Sequence, residues 1–319
     1  MVTDLPNLAK FDYVDRVNRA IDHIVRHLAE PLPLEQVARA ACFSPYHFHR
    51  IFAALMGETV NAFVKRVRLE RALYLMSHRP SLSLTDVAMA CGFSSSSDFS
   101  RSFRARYGVS PRAIDLDRVR RDRREQMLDE LVPQHRHRLA GLPAGENPDG
   151  FAVRLRRVPP RRVAYVRVFR PYEGGVPAAA ARLVSWAEDR GLADGQWLGY
   201  QWEDPDIVPL EQCRYDVGLE VPADVAVDGE VGVATFPATT LAEVDIAGTV
   251  DVELRALDWL YKTWLPASGY APDHQPGFEA WHGRPFADGT DHFRVTVQLA
   301  VVDAGRLLSA HHDEQQQGM

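Results

Sequence analysis

The sequence is poor in cysteine and has no long apolar segment. Its three cysteines are odd in number and too far apart to form a disulfide framework or a zinc site: Cys42, Cys91 and Cys213. No stretch comes near the length of about 18 consecutive apolar residues that indicates a membrane-spanning helix. The N-terminus carries early acidic residues and lacks the apolar core of a signal peptide. These absences predict a cytoplasmic protein with no metal site, no cofactor and no membrane partner.

The motifs of several enzyme classes are missing as well. The chain contains neither the G-x-S-x-G turn of many hydrolases nor the H-E-x-x-H motif of zinc peptidases. It also lacks the glycine-rich phosphate-binding loop of nucleotide hydrolases. We therefore expect a protein that is not an enzyme.

Charge is distributed unevenly along the chain. The net charge of the chain is −6. Residues 1–138 contain 22 Lys and Arg against 16 Asp and Glu, whereas residues 139–319 contain 15 Lys and Arg against 27 Asp and Glu. The length of 319 residues exceeds what one hydrophobic core usually serves, which favours two domains. A basic first half suggests that only this part meets a polyanion, although an uneven scatter of solvated charge would give the same totals.

The first half contains an internal repeat. The stretch LEQVARAACFSPYHFHRIFAALMGET aligns with LTDVAMACGFSSSSDFSRSFRARYGVSP, with one extra residue in the second copy. The matching pairs are Val37 and Val87, Phe43 and Phe93, Phe48 and Phe99, Arg50 and Arg101, Phe52 and Phe103, and Gly57 and Gly108. Each copy predicts a short helix, a tight turn and a second helix. Between the copies, residues 59–78 predict one continuous helix with four plausible buried positions: Phe63, Val67, Leu73 and Met76.

The second helix of each copy has an apolar face and a polar face. The predicted apolar positions are Phe48, Ile51, Phe52 and Leu55 in copy one, and Phe99 and Phe103 in copy two. The predicted outer positions are Tyr46, His49 and Arg50 in copy one, and Ser97 and Arg101 in copy two. An aromatic stripe behind hydrogen-bonding side chains is what a helix in the major groove of DNA requires. Alternatively, the two arginines are surface salt-bridge partners, and Tyr46 and His49 only cover the core.

Residues 10–114 resemble the DNA-binding domain of the AraC/XylS family. The resemblance covers both copies, the connecting helix and the A-x-x-C-G-F-S…F-S-R-x-F…G-V-S-P signature of residues 88–111. It implies double-stranded DNA as a partner, with RNA polymerase as a second one. The implied base-contacting residues are Tyr46, His49 and Arg50 in one groove and Ser96, Ser97 and Arg101 in the next. The family's usual aromatic-Arg ending is replaced by Arg112-Ala113-Ile114, so the last helix is expected to pack differently.

The second half predicts alternating strands and two amphipathic helices, near 174–190 and 250–265. An offset of 78 residues places Trp186 on Trp264 and Gly191 on Gly269, so that a strand–strand–helix–strand–strand unit occurs twice. The predicted fold class is therefore multidomain, an all-α double helix-turn-helix domain followed by an α+β domain of two pseudo-symmetric units with a cleft between them. The expected boundaries are 1–130 for the first domain, 131–150 for a Pro- and Gly-rich linker, and 151–310 for the second domain.

Aromatic residues surround one acid in the duplicated segments GQWLGYQWEDP and PGFEAWHGRP. In this pairing Glu279 falls on Gly199, so the acid is not repeated. A carboxylate among aromatic rings is suited to an apolar cation. Residues 150–303 resemble the GyrI-like effector-binding domain, through RYDVGLEVP and the F-E-x-W…P segment at 278–285. The resemblance implies Glu279 as the pocket acid, with Tyr165, Trp202 and Trp281 as plausible wall residues. Alternatively, Glu279 is an exposed acid at the end of a strand, and the tryptophans belong to the ordinary hydrophobic core.

These features together predict a transcription regulator. It would bind promoter DNA through its two helix-turn-helix motifs and sense a hydrophobic or cationic small molecule in its C-terminal domain. Two alternatives stay open: a GyrI-like hydrolase that uses Glu279, and a protein that sequesters drugs without transcriptional output.

Overall fold

A computed structural model describes residues 5–131, 144–287, 289–290 and 292–304 of the chain. Most of the predicted linker, at 132–143, and the end of the predicted second domain, at 305–310, lie outside the described residues. The chain divides into two compact units. The first runs to Arg121 and includes Ala226–Gly232, whereas the second comprises Asp122–Val225 and the chain from Val233 onward. The predicted boundaries at 130 and 150 stay a prediction.

The first unit is helical, as expected. Its helices are α1 (Leu5–Arg26), α2 (Leu34–Ala40), α3 (Pro45–Met56), α4 (Val60–His78), α5 (Leu84–Ala90), α6 (Ser96–Tyr107) and the start of α7 (Leu116–Leu131). Helices α2 and α3 form the first helix-turn-helix motif, and α5 and α6 form the second. None of the described helices combines the length and the apolar character that crossing a membrane requires.

The two motifs are built alike. The second helix of each motif, α3 or α6, is called its recognition helix. Each recognition helix buries two phenylalanines completely and ends at a glycine in the left-handed region: Phe48, Phe52 and Gly57 in α3, and Phe99, Phe103 and Gly108 in α6. The predicted apolar stripe of α3 is wrong at Leu55, whose side chain is 42% exposed. Leu55 lies in the last turn of α3, where Met56 packs on the core instead. Ser83 and Asp86 form a capping box at the start of α5, because each accepts a hydrogen bond from the other's backbone N–H.

Helix α4 connects the two motifs as one unbroken helix of 19 residues, in agreement with the prediction. Its N-cap residue is Thr59, whose hydroxyl accepts a hydrogen bond from the backbone N–H of Ala62. Of the four predicted buried residues, Phe63, Val67 and Leu73 are buried, whereas Met76 is only half-buried. At a rise of about 1.5 Å per residue, α4 spans roughly 28 Å.

The second unit is built on one antiparallel sheet of nine strands. The strands are β1 (Arg154–Val158), β2 (Arg161–Phe169), β3 (Trp197–Gln201), β4 (Arg214–Glu220), β5 (Gly232–Phe236), β6 (Thr239–Gly248), β7 (Tyr270–Pro272), β8 (Gly277–Trp281) and β9 (Phe293–Asp303). Their order is β1-β6-β9-β8-β3-β4-β2-β5, and β7 pairs with β9. The chain thus follows the predicted α+β class.

The duplicated units are present, but they exchange their first strands. In sequence one unit is β1-β2-helix-β3-β4 and the other is β5-β6-helix-β8-β9. In the sheet, β1 pairs with β6 of the second unit, and β5 pairs with β2 of the first. Strands β3 and β8, which contain the two similar aromatic segments, pair with each other at the centre.

Two helices pack on the sheet. Helix α8 (Val176–Glu188) packs on β2 and β4, and α9 (Val250–Trp259) packs on β6 and β9. After a π-helical turn at Leu260–Trp264, the chain continues into the short α10 (Leu265–Ser268). In the sheet, the central pair of β3 and β8 lies between the strands that α8 covers and the strands that α9 covers.

Candidate DNA-binding surface and ligand site

The N-terminal half of α3 presents the polar face predicted for base contact. Pro45 occupies the first turn of the helix, where its missing N–H costs nothing. Tyr46 is 69% exposed, and His49 and Arg50 are exposed beside it. The Arg50 guanidinium donates to the Tyr46 hydroxyl at 3.3 Å, and its Cζ lies 5.9 Å from the centre of the Tyr46 ring. The structure therefore brings these three residues together on one surface.

The corresponding face of α6 is held differently. The Arg101 side chain is 76% exposed, but its Nη2 lies 3.0 Å from Asp98 Oδ1 in the same helix. The Ser96 hydroxyl donates to Thr85 of α5 at 3.0 Å, while Ser97 is exposed. Arg101 is thus both exposed and in a salt bridge, whereas Ser96 is already engaged with α5.

One exposed position of α6 was missed in the sequence. The register that aligns Phe48 with Phe99 and Arg50 with Arg101 also aligns His49 with Ser100, and Ser100 is exposed. The repeat itself was the signal that could have identified it.

Several arginines of the basic first half are used inside the fold. Arg68 donates to the backbone carbonyls of Leu28 and Glu30, at 3.0 and 2.7 Å. Arg66 lies between Glu58 and Glu70, at 2.7 and 3.0 Å. These contacts hold α4 in place, so the positive charge of this half overstates what is available to a polyanion.

The charged residues at 118–126, RVRRDRREQ, also form contacts within the protein. Arg120 contacts His78 at 2.8 Å, and burial together with Arg120 lowers the pKa of His78 to about 4. Arg124, in the part of α7 that belongs to the second unit, forms ion pairs with Asp206 and Asp258 at 3.5 and 3.0 Å. Arg120 and Arg124 are therefore engaged within the protein.

Glu279 lies at the centre of the sheet of the second unit. It stands opposite Gly199 in the β3–β8 register, and its Oε2 accepts a hydrogen bond of 2.5 Å from the Tyr215 hydroxyl. A Cβ atom at position 199 would overlap the Tyr215 hydroxyl and lie 2.8 Å from Glu279 Oε2. The glycine that replaces the acid in the duplicate therefore provides the space for this pair.

A second carboxyl group reaches the same place from α9. The carboxyl groups of Glu253 and Glu279 contact each other, and both residues are half-buried. Burial and the neighbouring Glu279 raise the pKa of Glu253 well above its usual value. Burial also raises the pKa of Glu279, against the opposing effect of the hydrogen bonds from Tyr215 and Glu253. The two acids therefore titrate as a coupled pair.

Aromatic and amide groups complete this carboxyl site. Trp281 projects from the same face of β8 as Glu279 and hydrogen-bonds Tyr215. Gln201, which faces Tyr215 across β3 and β4, donates to the Tyr172 hydroxyl at 2.7 Å. Burial raises the pKa values of both tyrosines, so their hydroxyl groups are neutral at physiological pH. The site combines two acids with neutral hydrogen-bonding and aromatic groups.

The structure does not bring Tyr165 and Trp202 to Glu279. Neighbouring residues of a strand point to opposite faces of the sheet. Val166 pairs with Val217, which shares a face with Tyr215, so Tyr165 points to the opposite face. Tyr165 is fully buried, and the Trp202 indole donates to Asp216 Oδ2 at 2.8 Å, on the face opposite Glu279. Of the four predicted ligand residues, Glu279 and Trp281 lie together on one face of the sheet, and Tyr165 and Trp202 lie on the other.

Four residues of the carboxyl site were missed in the sequence: Glu253, Tyr215, Tyr172 and Gln201. Glu253 interrupts the apolar stripe of its helix, at helical spacing from Val250 and Leu257, which is a recognisable signal for a buried acid. Tyr215 lies in the quoted RYDVGLEVP stretch. Tyr172, in a short 3₁₀ turn at Pro171–Glu173, gives no such signal.

Comparisons with known proteins agree with this division. The model of a helix-turn-helix domain family matches residues 37–115, and that of the GyrI-like small molecule binding domain matches residues 151–302. A DNA gyrase inhibitor of Serratia proteamaculans is 33% identical over 143 residues, which are 44% of this chain and 92% of that protein. The probable transcriptional regulator LumQ of Photobacterium leiognathi is 36% identical over 100 residues, 31% of this chain and 40% of its own length.

A third relative is the regulatory protein PocR of Salmonella typhimurium, 37% identical over 98 residues, which are 31% of this chain and 32% of PocR. The chain thus spans two fifths or less of these two regulators, but nearly all of the gyrase inhibitor. The two matched regions coincide with the double helix-turn-helix unit and with the duplicated α+β unit. The chain therefore belongs to the proteins that join an AraC-type helix-turn-helix DNA-binding domain to a GyrI-like small-molecule-binding domain.

Proposed function

We propose that this chain is a one-component transcription regulator that binds promoter DNA and senses a hydrophobic, cationic small molecule. The observation that supports it most is the pair of acids, Glu253 and Glu279, in a protein that also has two recognition helices with exposed polar faces. A regulator acts at promoters by recruiting or excluding RNA polymerase, so the proposal includes that enzyme as a further partner.

The predicted DNA contacts belong to this proposal, with Ser100 in place of the predicted Ser96. Tyr46, His49 and Arg50 would read one major groove, and Ser97, Ser100 and Arg101 the next, while Ser96 bonds to Thr85 of α5. The two motifs are joined by the roughly 28 Å of α4, and successive major grooves lie one helical turn of DNA apart, at 34–36 Å.

Replacing Arg50 or Arg101 by alanine is expected to weaken specific DNA binding by about 1–3 kcal/mol and to relax preference at a few bases. Binding is measured by fluorescence anisotropy on a site selected from random DNA, at fixed salt. Arg284→Ala, in the second unit, removes the same charge and is expected to leave the preference unchanged. If both recognition-helix variants kept the selected sequence preference, the arginines would not read bases.

Replacing Glu279 by glutamine is expected to weaken binding of an aromatic cation more than about tenfold, because the carboxylate no longer offsets the cost of burying its charge. Benzyltrimethylammonium and its uncharged carbon isostere neopentylbenzene form a matched pair, and tryptophan quenching measures their binding. The isostere should bind the variant as it binds the original protein. Glu188→Gln, at an exposed acid of α8, is the control.

Equal losses for the cation and its isostere would mean that Glu279 only shapes the pocket. Failure of every ligand to bind the original protein would contradict the sensing function. Slow conversion of an aryl ester that Glu279→Gln abolishes would instead favour the hydrolase.

A further inference from the structure

The contact between Glu253 and Glu279 requires a proton. Two ionised carboxylates only accept hydrogen bonds, so one of the two acids must be protonated for them to bond to each other. Glu279 also accepts the hydrogen bond from Tyr215, which favours the carboxylate on its side. Glu253 is therefore the acid that holds the proton, and the pair as a whole has one negative charge.

The charges around the pair do not neutralise it. Tyr172 and Tyr215 face it from the 3₁₀ turn and β4, and both are neutral at physiological pH, while Cys213 lies near Tyr172. The charged residues beside Glu253 on α9 are engaged elsewhere: Arg255 binds Asp149 and Asp251, while Asp258 binds Arg124 and Lys262. In the described part of the chain, the interactions found for Glu253 and Glu279 include no Lys, Arg or His.

We propose that Glu253 is a second cation-binding group whose proton is displaced by a second positive charge on the ligand. This inference rests on the proposed sensing of cations and concerns which cations are preferred. A ligand with one positive charge is neutralised by Glu279 alone and leaves the proton on Glu253. A ligand with two positive charges a few bonds apart makes the second carboxylate favourable, and the proton leaves to solvent.

The proposed exchange makes the affinity for a dication depend on pH. While Glu253 is protonated in the free protein, each unit of rising pH should strengthen binding of the dication by up to tenfold. Binding becomes independent of pH once the free pair has lost its proton. The affinity for a monocation should stay constant over the same range, because its binding exchanges no proton.

The test compares three aromatic probes: neopentylbenzene, benzyltrimethylammonium, and the analogue that bears a second quaternary ammonium group two carbon atoms away. Their quaternary nitrogens do not titrate, so any proton exchanged comes from the protein. Calorimetry in two buffers of different ionisation enthalpy, with the full chain at neutral pH, counts that proton. We expect about one proton released per dication, and about none for the other two probes.

Glu253→Gln supplies the matched variant. The glutamine amide donates to Glu279 as the protonated Glu253 does, so monocation binding should change by less than about twofold. The dication should lose at least about tenfold in affinity and release no proton. Dication binding without proton release in the original protein, or with undiminished release in the variant, would overturn the role of Glu253. Failure of all three probes to bind would overturn the sensing function and this inference together.

Discussion

Replacing Asp216 by alanine is expected to lower the free energy of unfolding of the second unit by about 3–5 kcal/mol. Asp216 and the side chain of Arg167 are fully buried opposite each other on β4 and β2. The Arg167 guanidinium donates to both carboxylate oxygens, at 2.8 and 2.7 Å, and the Trp202 indole donates to one of them. The substitution would leave a buried positive charge and a buried N–H group without their acceptor.

Urea unfolding followed by tryptophan fluorescence measures this effect. All six tryptophans lie between Trp186 and Trp281, so the signal reports on the second unit. Glu188→Ala breaks an exposed ion pair with Arg284 and should cost less than about 1 kcal/mol. A double variant, Arg167→Met with Asp216→Leu, should recover most of the loss because it leaves no buried charge. Similar costs for Asp216→Ala and Glu188→Ala would show that the buried pair does not stabilise the sheet.

Replacing Gly92 by alanine is expected to destabilise the first unit by about 2–5 kcal/mol. Gly92 has a φ of +77°, and left-handed backbone costs other residues roughly 1–2 kcal/mol. Its Cβ would also overlap the carbonyl oxygen of Leu28 and lie 2.9 Å from Arg68 Nη2. Overlap with packed atoms costs roughly 1–3 kcal/mol more, because Arg68 holds the end of α1 in place.

Gly108→Ala separates the two contributions. Gly108 has nearly the same φ, +76°, but no atom lies within 4 Å of the position of its Cβ. It should therefore lose only the roughly 1–2 kcal/mol of backbone strain. Thermal unfolding followed by the helical circular dichroism signal compares the two variants. Equal shifts would mean that the contact of Gly92 with the turn after α1 adds nothing to the cost.

The first unit was largely predictable because its signals are local. Helical spacing of Phe48 and Phe52, repeated at Phe99 and Phe103, determines which face of each recognition helix is buried. The same turn tolerates Cys42, at a φ of +54°, where the second copy has Gly92. Only the structure distinguishes them, because Cys42 is exposed while Gly92 lies against the turn that follows α1. Leu55 was misplaced because the spacing rule does not say which residue of a last turn reaches the core.

The ligand site was only partly predictable because it depends on contacts between distant strands. Alternation within β8 places Glu279 and Trp281 on one face without further information. The relation of Glu279 to Tyr165 depends instead on register through β3, β4 and β2, which no local pattern specifies. Glu253 comes from α9, which packs on β6 and β9, so its approach to Glu279 on β8 follows from tertiary packing alone.

The exchange of first strands bears on how the second unit is synthesised. Arg154 of β1 faces Glu243 of β6, which lies 89 residues later in the chain. At a synthesis rate of about 5–20 residues per second, β1 waits roughly 4–18 s for its partner. An unpaired strand is open to pairing with other chains, and charged side chains discourage such pairing. The three arginines of β1, Arg154, Arg156 and Arg157, would keep the nascent strand from aggregating until β6 emerges from the ribosome.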